Sequence, residues 1–478
     1  MGKRDGAIAI GPAGENQVNI ANIASGHRFL GRGGMGAVMG AKHLKAVVAK
    51  GGEMRIIPRD VGKFEKIKKR ATRYINRNRF TSHTYRNYGT SANVNWCNEG
   101  GILPVRNFTV GRHELAEKVS GETMARRYHT RHSTCKPCTI LCGHEGTLED
   151  GTRHGIPEYE TVGLLGTNLG NFSPDQIIRY NDICNQMGMD TISAGGVLGY
   201  TMEAGEKGLI ETSLRFGSDE GVADALRDMA HRRGFGDEMA NGTRWLSEKY
   251  GGKSFAIQVK GLEMAAYDPR GSWGQGLSYA VANRGACHLS STTFAPEVMF
   301  GFLYPYTTRA KAPFVVFFED LYAGINSLQT CLFTSYAYLL EPPMVKYTPR
   351  FLLNLNMRYL PGIATRLMDV SIYSGLYGSV TGIKMSPRDF LKAGTRIHTL
   401  ERFMNTREGI SRRDDILPDR FLKEGRVGDP KQRVVPLDRM LDTYYRRRGY
   451  DMNGVPSLKT LHALNIEITG DKENGDNS

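Results

Sequence analysis

Three cysteines fall within eight positions, Cys135-Lys-Pro-Cys138-Thr-Ile-Leu-Cys142, and another, Cys331, lies far downstream. Spacings of x2 and x3 return a soft sulfur toward one centre after each short span. The run can therefore wrap one corner of an iron–sulfur cluster that takes its fourth ligand from elsewhere. The competing reading is a zinc knuckle. Four-cysteine zinc sites usually come as two CxxC pairs, whereas this run has one pair and a single, so a redox cluster is the better fit of the two. A radical-type cluster loop has the reverse order, x3 then x2, and does not match.

A second stretch with chemical potential is Gly31-Arg32-Gly33-Gly34-Met35-Gly36. Glycines this dense let backbone N–H groups approach an anion closely, with Arg32 and Lys42 as counter-charges. The loop lacks the Gly-Lys-Ser/Thr ending of a P-loop, and a tight turn explains it equally well. The elements that must position these residues read as a short strand at Ala7–Ile10, the loop Gly11–Asn16, the glycine loop, and a strand at Ala46–Ala49. A Lys/Arg-rich stretch from Lys63 has helical period, as does Asp175–Met187, with Ser173 as its N-cap. Val222–Met229 repeats that habit. Phe314–Phe318 is the core of either a strand or a helix, and Pro349 starts an apolar helical tract through Leu367. The tail Gly470–Ser478 reads as polar and disordered.

With 478 residues and seven cysteines, an odd number, the chain is no disulfide mini-protein, and the cysteine pattern points to metal and a reducing, cytoplasmic compartment. No stretch approaches the ~18 uninterrupted apolar residues of a membrane span. The net charge of +14 is a statement about partners. Its basic runs, Lys66–Arg73 and Arg446–Arg448, belong to no legible nucleic-acid module, and the second reads as a solvated helix end. A positive face suits an acidic electron carrier or a phosphorylated ligand. Cys97 reads as a buried thiol.

Taken in order, Ile10-Gly-Pro-Ala-Gly-Glu-Asn16, Gly31 to Gly40, Leu103-Pro-Val-Arg-Asn107, the cysteine loop, Pro157-Glu-Tyr-Glu-Thr161, Gly188-Met-Asp-Thr-Ile-Ser193, Tyr267-Asp-Pro-Arg-Gly271, Arg284-Gly-Ala-Cys-His288 and Arg407-Glu-Gly409 span nearly the whole chain. Their ordered combination resembles the tungsten-dependent aldehyde:ferredoxin oxidoreductases. The resemblance implies an α+β fold, a remnant of an N-terminal β domain (1–57) followed by two mainly α-helical domains, 58–254 with the cysteine loop and 255–478. It implies a tungsten or molybdenum ion held by two pyranopterin dithiolenes, with a 4Fe–4S cluster on Cys135, Cys138, Cys142 and Cys331. Pterin contacts fall on Arg32, Gly33, Gly34, Asn185, Gly188, Asp190 and Asn326. Two departures stand out: Asn185 and Asn326 replace carboxylates, which loses a charge-assisted bond, and Gln329 stands where a glycine lets backbone approach.

Carried over in the same way, Glu160 is the carboxylate that takes a proton, His288 the imidazole at the substrate oxygen, and Tyr267 a further donor. Cys287 reads as a structural thiol. The implied activity is aldehyde oxidation to a carboxylic acid, electrons passing to ferredoxin or another low-potential carrier. The alternatives are an acid or aromatic acyl-CoA reductase subunit, or a non-catalytic iron–sulfur subunit. The resemblance starts inside the family's N-terminal β domain, whose absent part would hold contacts to one pterin and a magnesium between the two. A truncated reading frame, a separate small subunit or a degenerate member would each explain this. A second copy of the chain is a further partner that the family allows.

Overall fold

In the computed structural model, which describes residues 6–26, 28–52 and 55–467, helices dominate and three small sheets support them. The tail at 470–478 lies outside the described residues. The first sheet contains β1 (Gly6–Ala9), β2 (Ile23–Ser25), β3 (Arg28–Leu30) and β4 (Ala46–Ala49) in the order β3-β2-β1-β4, with every pair antiparallel. Both strands expected near the start are present. The stretch between them is less of a loop than its glycines suggest, because Pro12–Glu15 forms one helical turn with Pro12 at its first position.

Backbone-to-backbone packing locks this unit. A Cβ on Gly40 would sit 1.8 Å from the Gly14 carbonyl oxygen, and one on Gly36 2.3 Å from that of Asn22. Here the glycines serve close approach, and a side chain at either position forces the elements apart.

The expected helices form. Val61–Arg77 starts at Asp60, whose side chain accepts from the Lys63 N–H, and Pro174–Met187 starts at Ser173. Val222–His231 and Lys311–Ser327 are helices, so Phe314–Phe318 is helix core rather than strand. The tract after Pro349 is two helices, Arg350–Tyr359 and Pro361–Leu367, because Pro361 cannot donate into a continuing ladder. One core gathers residues from Ala71 through Tyr450, and a second packs Ala13–Ala21 against segments between Leu165 and Ala256. Among the described residues, no helix is long and apolar enough to cross a membrane.

The expectation of a solvated helix end at Arg446–Arg448 holds for Arg446 and Arg447, which are exposed, and fails for Arg448. Tyr444, Tyr445 and Arg448 are buried, and Arg448 donates to Glu319 Oε2 at 2.6 Å and to Asp320 Oδ1 at 2.5 Å. The two carboxylates lie on Lys311–Ser327, so this arginine ties the end of the helix Leu437–Arg448 into the core.

Among the described residues, π-helical turns occur at Phe80–Thr84, Val162–Gly166 and Ala295–Met299. Each carries one residue more than an α-turn would, and such turns concentrate near functional sites.

Candidate active site

Glu160 sits on the short helical turn Tyr159–Thr161, directly before one of the π turns. Its approach is pinned from the side: Ser91 Oγ donates to the Pro157 carbonyl, and the Tyr159 N–H donates to Thr90 Oγ1. Two neighbouring side chains then clasp one residue of another segment. Tyr159 OH donates to the Ala266 carbonyl at 2.6 Å, and the Ala266 N–H donates to Glu160 Oε2 at 2.8 Å. This fixes the carboxyl and leaves its other oxygen, Oε1, buried without a hydrogen bond.

His288 faces that oxygen, with Nε2 3.4 Å from Glu160 Oε1, while its Nδ1 is likewise buried and unpartnered. Tyr267 stacks on Phe294 with ring centroids 3.7 Å apart and stands 5.9 Å from the imidazole. All three side chains line one cavity of about 110 Å³, whose remaining wall is largely aromatic, including Tyr85, Tyr159, Phe333 and Tyr336. The structure thus brings together the three residues singled out as catalytic.

The electrostatics of this cavity follow from exclusion of water. Burial raises the Glu160 carboxyl from 4.5 to about 7, against the pull of the Ala266 N–H and the Arg32 guanidinium. Burial, then the charges of Arg32 and Arg284, hold His288 well below the usual imidazole range, so the ring is neutral. Burial and the nearby Glu160 charge keep the Tyr267 phenol protonated. The site therefore offers a carboxyl that exchanges its proton near neutrality, beside two neutral groups able to donate hydrogen bonds.

A second cavity, of about 530 Å³, adjoins the first through the shared residues Thr90 and Glu158. Asn185, Asp190, Thr191 and Cys142 line it, together with Asn22 and Arg28. The loop that carries Asn185 and Asp190 is stitched to the N-terminal unit. The Asn22 N–H donates to the Gly188 carbonyl, the Asp190 N–H donates to Ile20, and Gly188, at φ +77°, packs so closely on Gly11 that a Cβ would meet its nitrogen at 2.8 Å. Asp190 caps the helix Thr191–Glu206 through the Ile192 N–H and accepts from Arg32 Nε at 2.9 Å.

Arg32 differs from its expected role as a counter-charge for an anion. It is turned inward, its fork donating to Asp190, the Ala286 carbonyl and the Glu263 carbonyl, because a buried guanidinium must find acceptors for all its donors. Gly33 borders a separate cavity with Lys260 and Arg284, and Gly34 takes a left-handed φ of +71° at the start of Met35–Ala41. Asn326 is exposed near the end of Lys311–Ser327 and does not line the 530 Å³ cavity. Gln329, at φ +52°, nevertheless repeats the left-handed backbone of Gly188 at the matching position before Cys331.

The cysteine run forms the loop between the strands Arg131–His132 and His144–Thr147, closed at its base by the Ser133 N–H donating to Gly143. Cys331 lies close enough to Cys138, Cys135 and Cys142 for their charges to act on one another. The Leu141 N–H donates to Cys138 Sγ at 3.3 Å, and Arg28 Nε to Cys135 Sγ at 3.2 Å while its Nη1 holds Glu158. Among the described residues, no three His, Cys, Asp or Glu side chains converge tightly enough to hold a single ion. Cys135, Cys138, Cys142 and Cys331, the first two already accepting from N–H donors, fit a cubane, where each sulfur takes a different iron. The residues of the second cavity also fit a pterin. Asn22 Oδ1 is a buried acceptor without a partner, and the Asn185 amide has no side-chain partner among the described residues.

Asn22 and Arg28 carry no motif and were not legible as site residues. Cys287 is buried, as expected of a structural thiol, yet it has a partner: Arg284 Nη2 donates to its sulfur at 2.7 Å. Burial opposes the thiolate, but Arg284 and Arg32 together outweigh it and lower its pKa.

Models of two parts of one family match nearly the whole chain. "Aldehyde ferredoxin oxidoreductase, N-terminal domain" covers residues 1–51, and "Aldehyde ferredoxin oxidoreductase, domains 2 & 3" covers 66–466. The tungsten-containing aldehyde ferredoxin oxidoreductase of Pyrococcus furiosus is 36% identical over 474 residues, covering 96% of this chain and 73% of that protein. The WOR-like subunit of an aliphatic sulfonate oxidoreductase from the same organism is 26% identical, over 97% of this chain and 70% of that protein. In fold, the chain matches a solved structure described as the active site complex BamBC of benzoyl coenzyme A reductase in complex with 1,5 dienoyl-CoA, with a TM-score of 0.74 over 97% of this chain and 74% of that one, at 21% identity. The chain belongs to the aldehyde ferredoxin oxidoreductase family, and with it to the oxidoreductases.

Proposed function

We propose that the chain binds an aldehyde in the Glu160–His288 cavity and converts it with water to the carboxylic acid, releasing two protons and two electrons per turnover. The observation that carries this reading is the pair of unpartnered buried atoms, Glu160 Oε1 and His288 Nδ1, on one aromatic cavity. When bound, a tungsten or molybdenum bis-pyranopterin supplies two-electron redox chemistry there, and a 4Fe–4S cluster on Cys135, Cys138, Cys142 and Cys331 supplies single-electron exits toward ferredoxin. Asn22, Asn185 and Asp190 would hold the pterin side, because they line the cavity that separates Glu160 from Cys142.

The protein's own part is positioning and proton handling. The Glu160 carboxylate accepts a proton from water as that water's oxygen bonds to the carbonyl carbon. Once protonated, Glu160 Oε1 donates toward His288 Nε2, which sets the ring's N–H on Nδ1 and turns it toward the substrate oxygen. Tyr267, kept a phenol by burial, is the second donor. The aromatic wall excludes bulk water, which strengthens each of these contacts.

The test is elemental analysis and turnover on protein purified without oxygen. Tungsten or molybdenum with about four irons per chain and viologen-coupled aldehyde oxidation are expected, with kcat/KM rising through about pH 7 as Glu160 loses its proton. Iron without tungsten or molybdenum, and no turnover, would overturn the reading in favour of an electron-transfer subunit.

A further inference from the structure

Next to the catalytic cavity lies a far larger one that the proposed reaction leaves unused. It measures about 810 Å³ and shares two wall residues, Thr292 and Tyr336, with the 110 Å³ cavity around Glu160. Its inner wall comes from Ala295, Pro296 and Phe318, and its outer wall from the helices Pro343–Lys346, Arg350–Tyr359 and Pro361–Leu367.

No charged side chain lines it. The few polar groups at the junction are occupied: Thr292 Oγ1 pairs with Tyr322 OH, and Ser335 Oγ donates to the Leu332 carbonyl. A chamber with no cation and few polar side chains beyond the junction (Thr348, Asn356 and Tyr359) gives little to a phosphate, a sugar or a coenzyme A chain, each of which needs cations or several free donors. Its apolar wall is partly open to water, with Met344 60% and Leu355 54% exposed. Apolar surface left facing water over a volume this large is a standing cost that an apolar ligand relieves.

We infer that this chamber seats the tail of the substrate, and that the substrates are aldehydes with a long or bulky uncharged carbon skeleton. The inference rests on the aldehyde reading of the Glu160–His288 site. The carbonyl enters the small Glu160–His288 cavity while the chain or ring stays behind the Thr292–Tyr336 junction, and the outer helices form the mouth. Chain length is then read chiefly by area of contact, because the wall is overwhelmingly apolar and carries no charge.

The experiment measures kcat/KM of the anaerobically purified holoenzyme on straight-chain aldehydes from acetaldehyde to decanal. In parallel, decanol, which is uncharged and unreactive in this assay, is titrated calorimetrically into the same protein. The expected result is a rise of about fourfold per added methylene until the chamber is full, with decanol binding accompanied by a negative heat-capacity change. Met357→Trp and Ala364→Phe, which fill the chamber at positions that do not line the Glu160 cavity, abolish the gain and the decanol binding while acetaldehyde turnover stays at the wild-type value. Acetaldehyde turnover with a flat chain-length series and no decanol binding overturns the inference and leaves the aldehyde reading standing. No turnover of any aldehyde by tungsten-loaded protein overturns the aldehyde reading itself. The wild-type series and the decanol titration decide the matter even if both variants misfold.

Discussion

Glu160→Gln is expected to move stability and activity in opposite directions, and the size of the first effect follows from the carboxyl's displaced proton affinity. In the unfolded chain the group titrates at its ordinary 4.5, and in the folded chain burial raises this to about 7. Below the unfolded value both states are protonated and Glu160 has no effect. As pH rises through 4.5 the unfolded state sheds its proton and the folded state does not, so stability is lost progressively until the folded group also ionises near 7. Each factor of ten in proton affinity counts about 1.4 kcal/mol, so the wild-type chain carries a cost of about 3 kcal/mol at mildly alkaline pH and about 1 kcal/mol near pH 5. Glutamine has nearly the same shape. Its carbonyl still accepts from the Ala266 N–H, its amide faces His288, and it never ionises.

The variant should therefore melt about 3 °C above wild type at about pH 8.5 and within about 1 °C of it near pH 5, for a chain of this length. Thermal unfolding followed by fluorescence at the two pH values measures this directly. Turnover of the same variant should fall by about a hundredfold or more, as for loss of a positioned base. A melting difference that does not change with pH, or a variant less stable at the alkaline end, would refute the account of Glu160 as a desolvated carboxyl.

Three further outcomes are expected. Arg28→Met removes the N–H donor to Cys135 Sγ and one positive charge, and should lower the midpoint potential of a bound cluster, read by redox titration with electron paramagnetic resonance; an unchanged midpoint would count against that contact. Gly40→Ala drives a methyl into the Gly14 carbonyl, and should destabilise the N-terminal unit by about 2 kcal/mol or more, seen as loss of amide protection across residues 6–49 with the rest unchanged. Arg448→Met leaves Glu319 and Asp320 buried without their cation, and should cost about 3–5 kcal/mol by chemical denaturation, whereas an effect below about 1 kcal/mol would place that helix end in solvent after all.

The parts of this site that could be read in the sequence are those whose chemistry depends on local spacing. Cys135, Cys138 and Cys142 announce a metal because ligand spacing is a property of a few consecutive residues, and the helix after Ser173 is legible because caps and period are local too. Glu160, Tyr267 and His288 were found through ordered resemblance; alone, each is an ordinary residue, and only the fold closes the 3.4 Å between carboxyl and imidazole. Arg28 and Asn22 stayed hidden for that reason: their partners, Cys135 and the Asn185–Asp190 loop, are distant in the chain and nothing nearby marks them. Arg448 was misread because three consecutive arginines look like a solvated helix end, and the two carboxylates that bury it lie on a helix far upstream. Arg32 fared similarly, its glycine-rich surroundings suggesting an anion while its acceptors are all protein atoms.

The π turns at Val162–Gly166 and Ala295–Met299 flank the Glu160 side and the Phe294 side of the catalytic cavity. Each closes its hydrogen bond over one residue more than an α-turn does, the first running on from Tyr159–Thr161 and the second standing between irregular segments. Deleting one residue from either would let the backbone relax into a regular α-helix and turn everything on one side by about 100°. The aim of the Glu160 and Phe294 sides of the cavity therefore depends on the number of residues in these two segments as well as on their identity.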